Sequence, residues 1–291
     1  MGRVSLQHVL WLLWTLELKP CAVIPKVIHY CWLSRNPMPA DTKACIKSWK
    51  RHMPDWDFKL WNTENFDVQS VAFVRDAMAA KKWAYACDYI RCHALYHEGG
   101  VYLDSDVFVR KPLDFVLDNR AFSAVECHPA FFAEGGDHQF VRADGTKTAP
   151  DLLIHDMQVQ AAIMGAEKGH PFFADCLTYY QTHPFVDIVH GPLTPDNISP
   201  IILARIAEKY GFRYYDKEQQ LDEGFHLYPS TLFCPYPPYM KEEAVAVHCC
   251  FGSWRHSQAF SHQMPRNLKA RFFNLMYSLG LYKPDKLKHL K

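Results

Sequence analysis

The sequence predicts an α/β fold, and three observations carry that expectation. It opens as strand, helix, strand. A helix at Lys82–Glu98 then runs through Gly99-Gly100 into a short apolar strand. Two carboxylates, Asp104 and Asp106, stand at the end of that strand. Helices recurring later between apolar segments continue the α/β pattern.

The elements follow in order. Val23–Tyr30, centred on Val27 and Ile28, reads as the first strand, and the polar, Pro-containing Ser34–Pro39 as the loop after it. Asp41–Arg51 fits a helix with Cys45, Ile46 and Trp49 on its inner side. Phe58–Trp61 is a second strand and Asn62–Phe66 a loop. In Lys82–Glu98, Trp83, Cys87, Ile90, Ala94 and Leu95 form an apolar stripe, and Gly99 offers the backbone freedom that ends a helix. Val101–Leu103 is a strand, Val107–Val109 continues extended, and Pro112 stops it. Glu126–Asp151 reads as a long loop, and such a loop in a compact domain is usually functional. Met157–Gly165, Pro171–Thr182 and Ile198–Tyr210 fit helices.

Composition excludes several classes. The 291 residues carry 32 basic and 31 acidic side chains, and 49% are hydrophobic. That is an ordinary globular composition. The balance argues against a nucleic-acid binder. It also hides an asymmetry. Residues 261–291 hold seven basic and one acidic side chain, leaving the first 260 residues at net −5. Phe272, Phe273, Leu275, Met276 and Leu279 add an apolar face, so this tail reads equally as a helix on an anionic membrane surface or as a basic helix packed on the domain. The ten cysteines include no CxxC pair and read as reduced thiols of a cytosolic protein. Residues 1–22 form an extension whose apolar stretch, Val9–Leu18, is shorter than the roughly 20 residues that span a bilayer. No small-x-small cleavage site follows it, which favours an accessory segment over a secretion signal. The expected organisation is thus an extension at 1–22, one domain at 23–260 and the basic tail at 261–291.

The chemistry centres on Asp104 and Asp106. In an extended chain, residues two apart leave on one face. The carboxyl edge of an open α/β sheet is where ligands bind. Two convergent carboxylates repel unless a cation joins them, and Mg²⁺ or Mn²⁺ suits oxygen donors and phosphate together. Asp88 and Arg91, three apart on the preceding helix, share a face and suit hydroxyls and phosphate. His93 and His97 have the four-residue spacing of a zinc protease but lack its adjacent Glu.

Three stretches together resemble a known family: Ile24-Pro25-Lys26-Val27-Ile28-His29-Tyr30-Cys31-Trp32, Trp83 to Arg91, and Leu95-Tyr96-His97-Glu98-Gly99-Gly100-Val101-Tyr102-Leu103-Asp104-Ser105-Asp106. The chain is similar, from about Ile24 to Trp254, to the DxD sugar transferases. That family includes a fungal initiating α-1,6-mannosyltransferase, α-1,4-galactosyltransferases, bacterial capsular polysaccharide transferases and the catalytic domains of clostridial glucosylating toxins. The resemblance implies a GT-A-type nucleotide-sugar-binding fold with a mixed, mostly parallel central sheet flanked by helices, a nucleotide-sugar donor, Mn²⁺ or Mg²⁺, and retention at the anomeric carbon. It implies a metal held by Asp104 and Asp106, and a donor gripped by Asp88 and Arg91. Trp32 would stack on the base, the competing reading of that residue being a core aromatic. His248, in Val245 to Trp254, would complete the metal shell, and Ser253 and Trp254 would close over the diphosphate. Relatives show Asn ahead of an apolar run and a Gly-x-x-x-Gly-His-Pro segment. Here Gly165 to Pro171 keeps the segment, while Gln160 stands at the Asn position and would face the reacting carbon.

The expected activity is transfer of a hexose, from a UDP-sugar or GDP-mannose, to a glycan or lipid-linked acceptor. The expected setting is capsular or exopolysaccharide synthesis, in the cytoplasm or on the inner face of the membrane. Two other classes compete with this reading. In a phosphohydrolase Asp104 would be the nucleophile and Asp106 the acid, but that chemistry wants the pair near the first strand. A non-catalytic sugar-binding module on the same fold is disfavoured by the intact Asp88, Arg91, Asp104 and Asp106.

Overall fold

The computed structural model describes residues 24–127, 135–185 and 198–251. The expected extension at 1–22, the basic tail, Ser253 and Trp254 lie outside the described residues. Strands and helices alternate through the first half: β1 (Val27–Cys31), α1 (Ala40–His52), β2 (Asp57–Trp61), α2 (Ala72–Ala79), α3 (Trp83–Glu98), β3 (Gly100–Leu103), β4 (Val107–Val109) and β5 (Ala121–Cys127). The second half holds β6 (Met157–Val159), β7 (Ile163–Ala166), α4 (Pro171–Thr182), α5 (Ser199–Ala207), β8 (Gln219–Gln220), β9 (Phe225–Tyr228), β10 (Phe233–Cys234) and β11 (Ala246–His248).

An eight-stranded sheet runs β2-β1-β3-β7-β5-β9-β8, with β6 also on β5. Strands β2, β1, β3, β5 and β9 point one way, and β7, β8 and β6 oppose them. The sheet is therefore mixed and mostly parallel, as expected. A second sheet, β10-β11-β4, stands beside it. Both faces of the main sheet are covered, so its strands alternate between two cores. Tyr102 enters the core with Ile90, Leu95, Phe172 and Phe225. Val101 and Leu103 enter the other, with Trp49, Val107 and Phe233.

Two expectations are corrected, and one helix was not predicted. Met157–Gly165 is not a helix but β6 and β7, joined through 160–162. An apolar run of that length satisfies either period, and pairing with β3 and β5 decides it. The long loop begins later than Glu126, because β5 extends to Cys127. Helix α2 lies where the sequence pattern predicted no element.

The Gly-Gly dipeptide sets the start of β3. Gly99 has φ +72° and Gly100 φ +109°. A Cβ on Gly100 would stand 2.8 Å from the carbonyl oxygen of Val27 and 3.0 Å from His29 Nε2. His29 is fully buried and fixes this corner. Its Nε2 lies 2.8 Å from the Gly99 carbonyl, and its Nδ1 accepts from Trp61 Nε1 at 3.1 Å. Strand β3 is thus pinned one residue after α3 ends.

Candidate metal and sugar-nucleotide site

Asp104 and Asp106 converge through a turn, not through an extended strand. The Val107 N–H donates to the Asp104 carbonyl at 2.9 Å, closing a turn between β3 and β4. The chain leaves the main sheet at Leu103 and enters the small sheet at Val107. On β4, Val107 pairs with His248 of β11. That register sets His248 beside the turn, with Nε2 3.4 Å from Asp106 Oδ1. Donor atoms of Asp104, Asp106 and His248 all lie within 4.8 Å of one another, and all three side chains are partly exposed.

Asp106 is held from two sides. Its Oδ2 accepts from the Phe251 N–H at 2.9 Å, and its carbonyl from the Cys249 N–H at 3.0 Å. Burial works against its carboxylate, yet His248 and the Phe251 N–H outweigh burial and hold its pKa below the ordinary value. Two carboxylates and an imidazole suit a hard or borderline divalent ion such as Mg²⁺ or Mn²⁺.

Arg91 joins α3 to this turn. Its Nη2 lies 2.9 Å from Asp88 Oδ1 and 3.3 Å from Asp104 Oδ1. Its Nη1 donates to the Ala161 carbonyl at 2.5 Å, and its guanidinium lies 4.9 Å over the Tyr102 ring. Arg91 is only 4% exposed and Asp88 7%. Burial pushes Asp88 up to about 7, with Arg91 opposing and Asp104 adding to the rise. Burial disfavours the Arg91 charge, but Asp104, Tyr102 and Asp88 outweigh it, and Arg91 stays cationic. Asp88 also meets the Ser199 hydroxyl at the start of α5, which lies 3.3 Å from Tyr180 Oη.

The predicted residues therefore separate into groups. Asp88, Arg91, Asp104, Asp106 and His248 come together. Trp32 lies just after β1, partly exposed, with Nε1 donating to the Asn36 carbonyl at 2.8 Å. Gln160 is fully buried, and its Nε2 donates to the Phe233 carbonyl at 3.2 Å. Its neighbours Ala161 and Ala162, whose carbonyls meet Arg91 and the Asp104 N–H, are the ones at the site.

Sequence reasoning missed Tyr102, whose hydroxyl donates to Asp104 Oδ1 at 3.0 Å. The alternation of β3 could have found it, because Tyr102 lies two residues before Asp104. Nothing in side-chain identity marks the Ala161 carbonyl or the Phe251 N–H. The His93–His97 pair lies elsewhere on α3, with ring centroids 4.4 Å apart.

Comparison with known proteins bears on the segment that holds α3, the Gly-Gly corner and the carboxylate turn. Residues 39–123 match the family model described as a glycosyltransferase sugar-binding region containing the DXD motif. Inositol phosphoceramide mannosyltransferase 1 of Schizosaccharomyces pombe is 30% identical over 130 residues, 40% of this chain and 40% of that protein. Inositol phosphoceramide mannosyltransferase 3 of the same organism is 29% identical over 52% of this chain and 35% of its own length. The chain thus covers well under two thirds of these relatives. Among solved structures, the PaToxG glycosyltransferase aligns at TM-score 0.42 and 14% identity, over 64% of this chain and 69% of its own. A glycosyltransferase involved in glycosylation of the major capsid of PBCV-1 aligns at 0.40 and 13%, over 85% of this chain and all of its own. The helix, Gly-Gly corner and carboxylate turn lie inside the matched segment, and over that segment the chain is similar to the DXD-motif glycosyltransferases.

Proposed function

We propose that this protein transfers a hexose from a nucleotide sugar to a hydroxyl of a glycan or lipid-linked acceptor, with retention at the anomeric carbon and dependence on a divalent ion. The observation that carries this reading is the convergence of Asp104, Asp106 and His248 beside the buried Arg91 guanidinium. Asp104, Asp106 and His248 would hold Mn²⁺ or Mg²⁺, which supplies charge neutralisation at the leaving diphosphate.

The protein's own groups do the remaining work. Arg91, kept cationic and fixed by Asp88 and the Ala161 carbonyl, places positive charge near the phosphate side of the donor. Asp88, near neutrality in its titration, can accept from or donate to a sugar hydroxyl. Trp32 offers a ring face to the base. The buried Gln160 supports the 160–162 segment whose carbonyls meet Arg91 and Asp104. A Trp254 lid would exclude water and protect the donor from hydrolysis. No side-chain base is assigned, and a phosphate oxygen of the leaving group takes the acceptor proton.

UDP-hexoses and GDP-mannose form the first donor panel, GDP-mannose because relatives are named as mannosyltransferases. Those names also favour a lipid acceptor. The basic tail and the resemblance of the sequence, not the relatives' names, support contact with an anionic cytoplasmic membrane face and a role in capsular or exopolysaccharide assembly. Incubation with each donor and Mn²⁺, followed by release of nucleoside diphosphate, tests the reading. Metal-dependent release that Asp106→Asn lowers by at least about a hundredfold is expected for loss of a metal ligand. No turnover or binding with any donor would overturn it.

A further inference from the structure

Two cysteines follow His248, and they face different ways. Cys249 is 2% exposed and gives its N–H to the Asp106 carbonyl. Cys250 is partly exposed, and its sulfur lies 3.4 Å from His248 Nδ1. The same sulfur donates to the Pro235 carbonyl at 3.5 Å. Pro235 directly follows β10, the strand paired with β11. The backbone of Cys250 has φ +49°, in the left-handed region where glycine is at ease and a cysteine is not.

These facts have one chemical consequence, which rests on the metal reading above. His248 turns Nε2 toward Asp106. To ligate an ion through Nε2, the imidazole must be neutral, with its proton on Nδ1. That N–H needs an acceptor to fix the tautomer and the ring plane. The Cys250 sulfur occupies that place. It accepts from Nδ1 on one side and gives its own S–H to Pro235 on the other. Glycine at this position would relieve the backbone and leave Nδ1 without this acceptor.

We propose that Cys250 is a positioning residue for the divalent-ion site, holding the His248 imidazole by its Nδ1 through a relay that ends on the Pro235 carbonyl. It touches neither donor nor metal. Its backbone conformation is kept because the side chain has this use.

The test uses the full chain stripped of metal with chelator and then titrated with Mn²⁺ alone. Free Mn²⁺ is read by electron paramagnetic resonance, and thermal melting is run in parallel. Cys250→Ala and Cys250→Gly should weaken Mn²⁺ binding about tenfold to a hundredfold, the usual effect of removing a group that orients a ligating histidine. Cys250→Ser, which can also accept and donate, should restore binding to within about threefold of the parent. Cys250→Gly should melt above Cys250→Ala, because glycine accepts φ +49°. In a His248→Gln background, Cys250→Ala should have no further effect on Mn²⁺ binding.

Parent-like Mn²⁺ binding by folded Cys250→Ala and Cys250→Gly would overturn the proposal and leave the metal reading standing. A Cys250→Ser variant as weak as Cys250→Ala would overturn the relay as well. Failure of the unaltered protein to bind Mn²⁺ would overturn the metal reading itself, and this proposal with it.

Discussion

Replacing Arg91 by Met tests the electrostatic centre of the site. Met keeps most of the stem's volume and removes the guanidinium. The loss includes contacts to Asp88 at 2.9 Å, Asp104 at 3.3 Å and the Ala161 carbonyl at 2.5 Å, all around a residue only 4% exposed. Breaking a buried pair by removing one partner costs about 3–5 kcal/mol, because the other charge stays buried. The cost should depend on pH. Asp88 titrates at about 7, above its value in an unfolded chain. For such a carboxyl the unfolded state releases its proton first, so the fold weakens as pH rises from about 4 through the folded pKa. Arg91 opposes this rise. Without it the folded pKa climbs further and the penalty continues to accumulate above pH 7. Urea unfolding at pH 8 and pH 5 reads the effect. Arg91→Met should lose at least about 1 kcal/mol more at pH 8 than at pH 5, close to the free energy by which a roughly tenfold weaker acid holds its proton. Adding Asp88→Asn should recover about 1–3 kcal/mol and remove most of the pH difference. A single variant within about 1 kcal/mol of the parent at both pH values, or a double variant no more stable than the single, would refute the reasoning.

Other perturbations reach neighbouring parts of the molecule. Gly100→Ala meets φ +109° and puts a Cβ 2.8 Å from the Val27 carbonyl, so urea unfolding should show a loss of at least about 2 kcal/mol, and an unchanged midpoint would refute the close approach. Burial, then His97, pushes His93 down to about 4, amid the rings of Trp61, Phe66 and Tyr89. Its folded pKa lies below its unfolded one, so its share of stability is present above about pH 6.5 and lost toward pH 4. After allowance for partial exposure, His93→Phe should spare about 1–2 kcal/mol of the loss between pH 7 and 4.5, and an unchanged pH slope would count against this.

The local parts of the site were legible in the sequence. Asp88 and Arg91 are three apart on one helix, so their contact follows from helix geometry. Gly99-Gly100 announced the corner that delivers β3. The parts that depend on distant pairing were not legible. The D-x-D spacing suggested an extended pair, whereas the carboxylates converge through a turn closed by the Val107 N–H. Met157–Gly165 suited either period, and only the neighbours settled it. At Gly165 a Cβ would stand 2.4 Å from the Phe122 ring, a constraint that belongs to the β5–β7 pair and to no local pattern. The cysteines, read together as reduced thiols, include one, Cys250, whose neighbour gives it a different character, and that neighbour is His248.

The turn at Asp104–Asp106 shows why two sheets are needed for one site. Strand β3 belongs to the buried main sheet, where pairing with β1 and β7 fixes it, and Arg91 reaches it from α3. Strand β4 belongs to the small sheet, where the pairing of Val107 with His248 supplies the imidazole. Asp104 is therefore tied to one sheet through Arg91, Tyr102 and Ala162. Asp106 is tied to the other through His248, Cys249 and Phe251. Neither sheet alone presents the three donors. A slip of one residue between β4 and β11 would turn His248 to the opposite face, since side chains alternate along a strand. The Trp49 Nε1 donates to the Val107 carbonyl at 2.7 Å, and Ser48 Oγ accepts from the Val109 N–H at 3.0 Å. Helix α1 thus pins β4 from the side away from β11. It thereby holds the strand on which the meeting of the three donors depends.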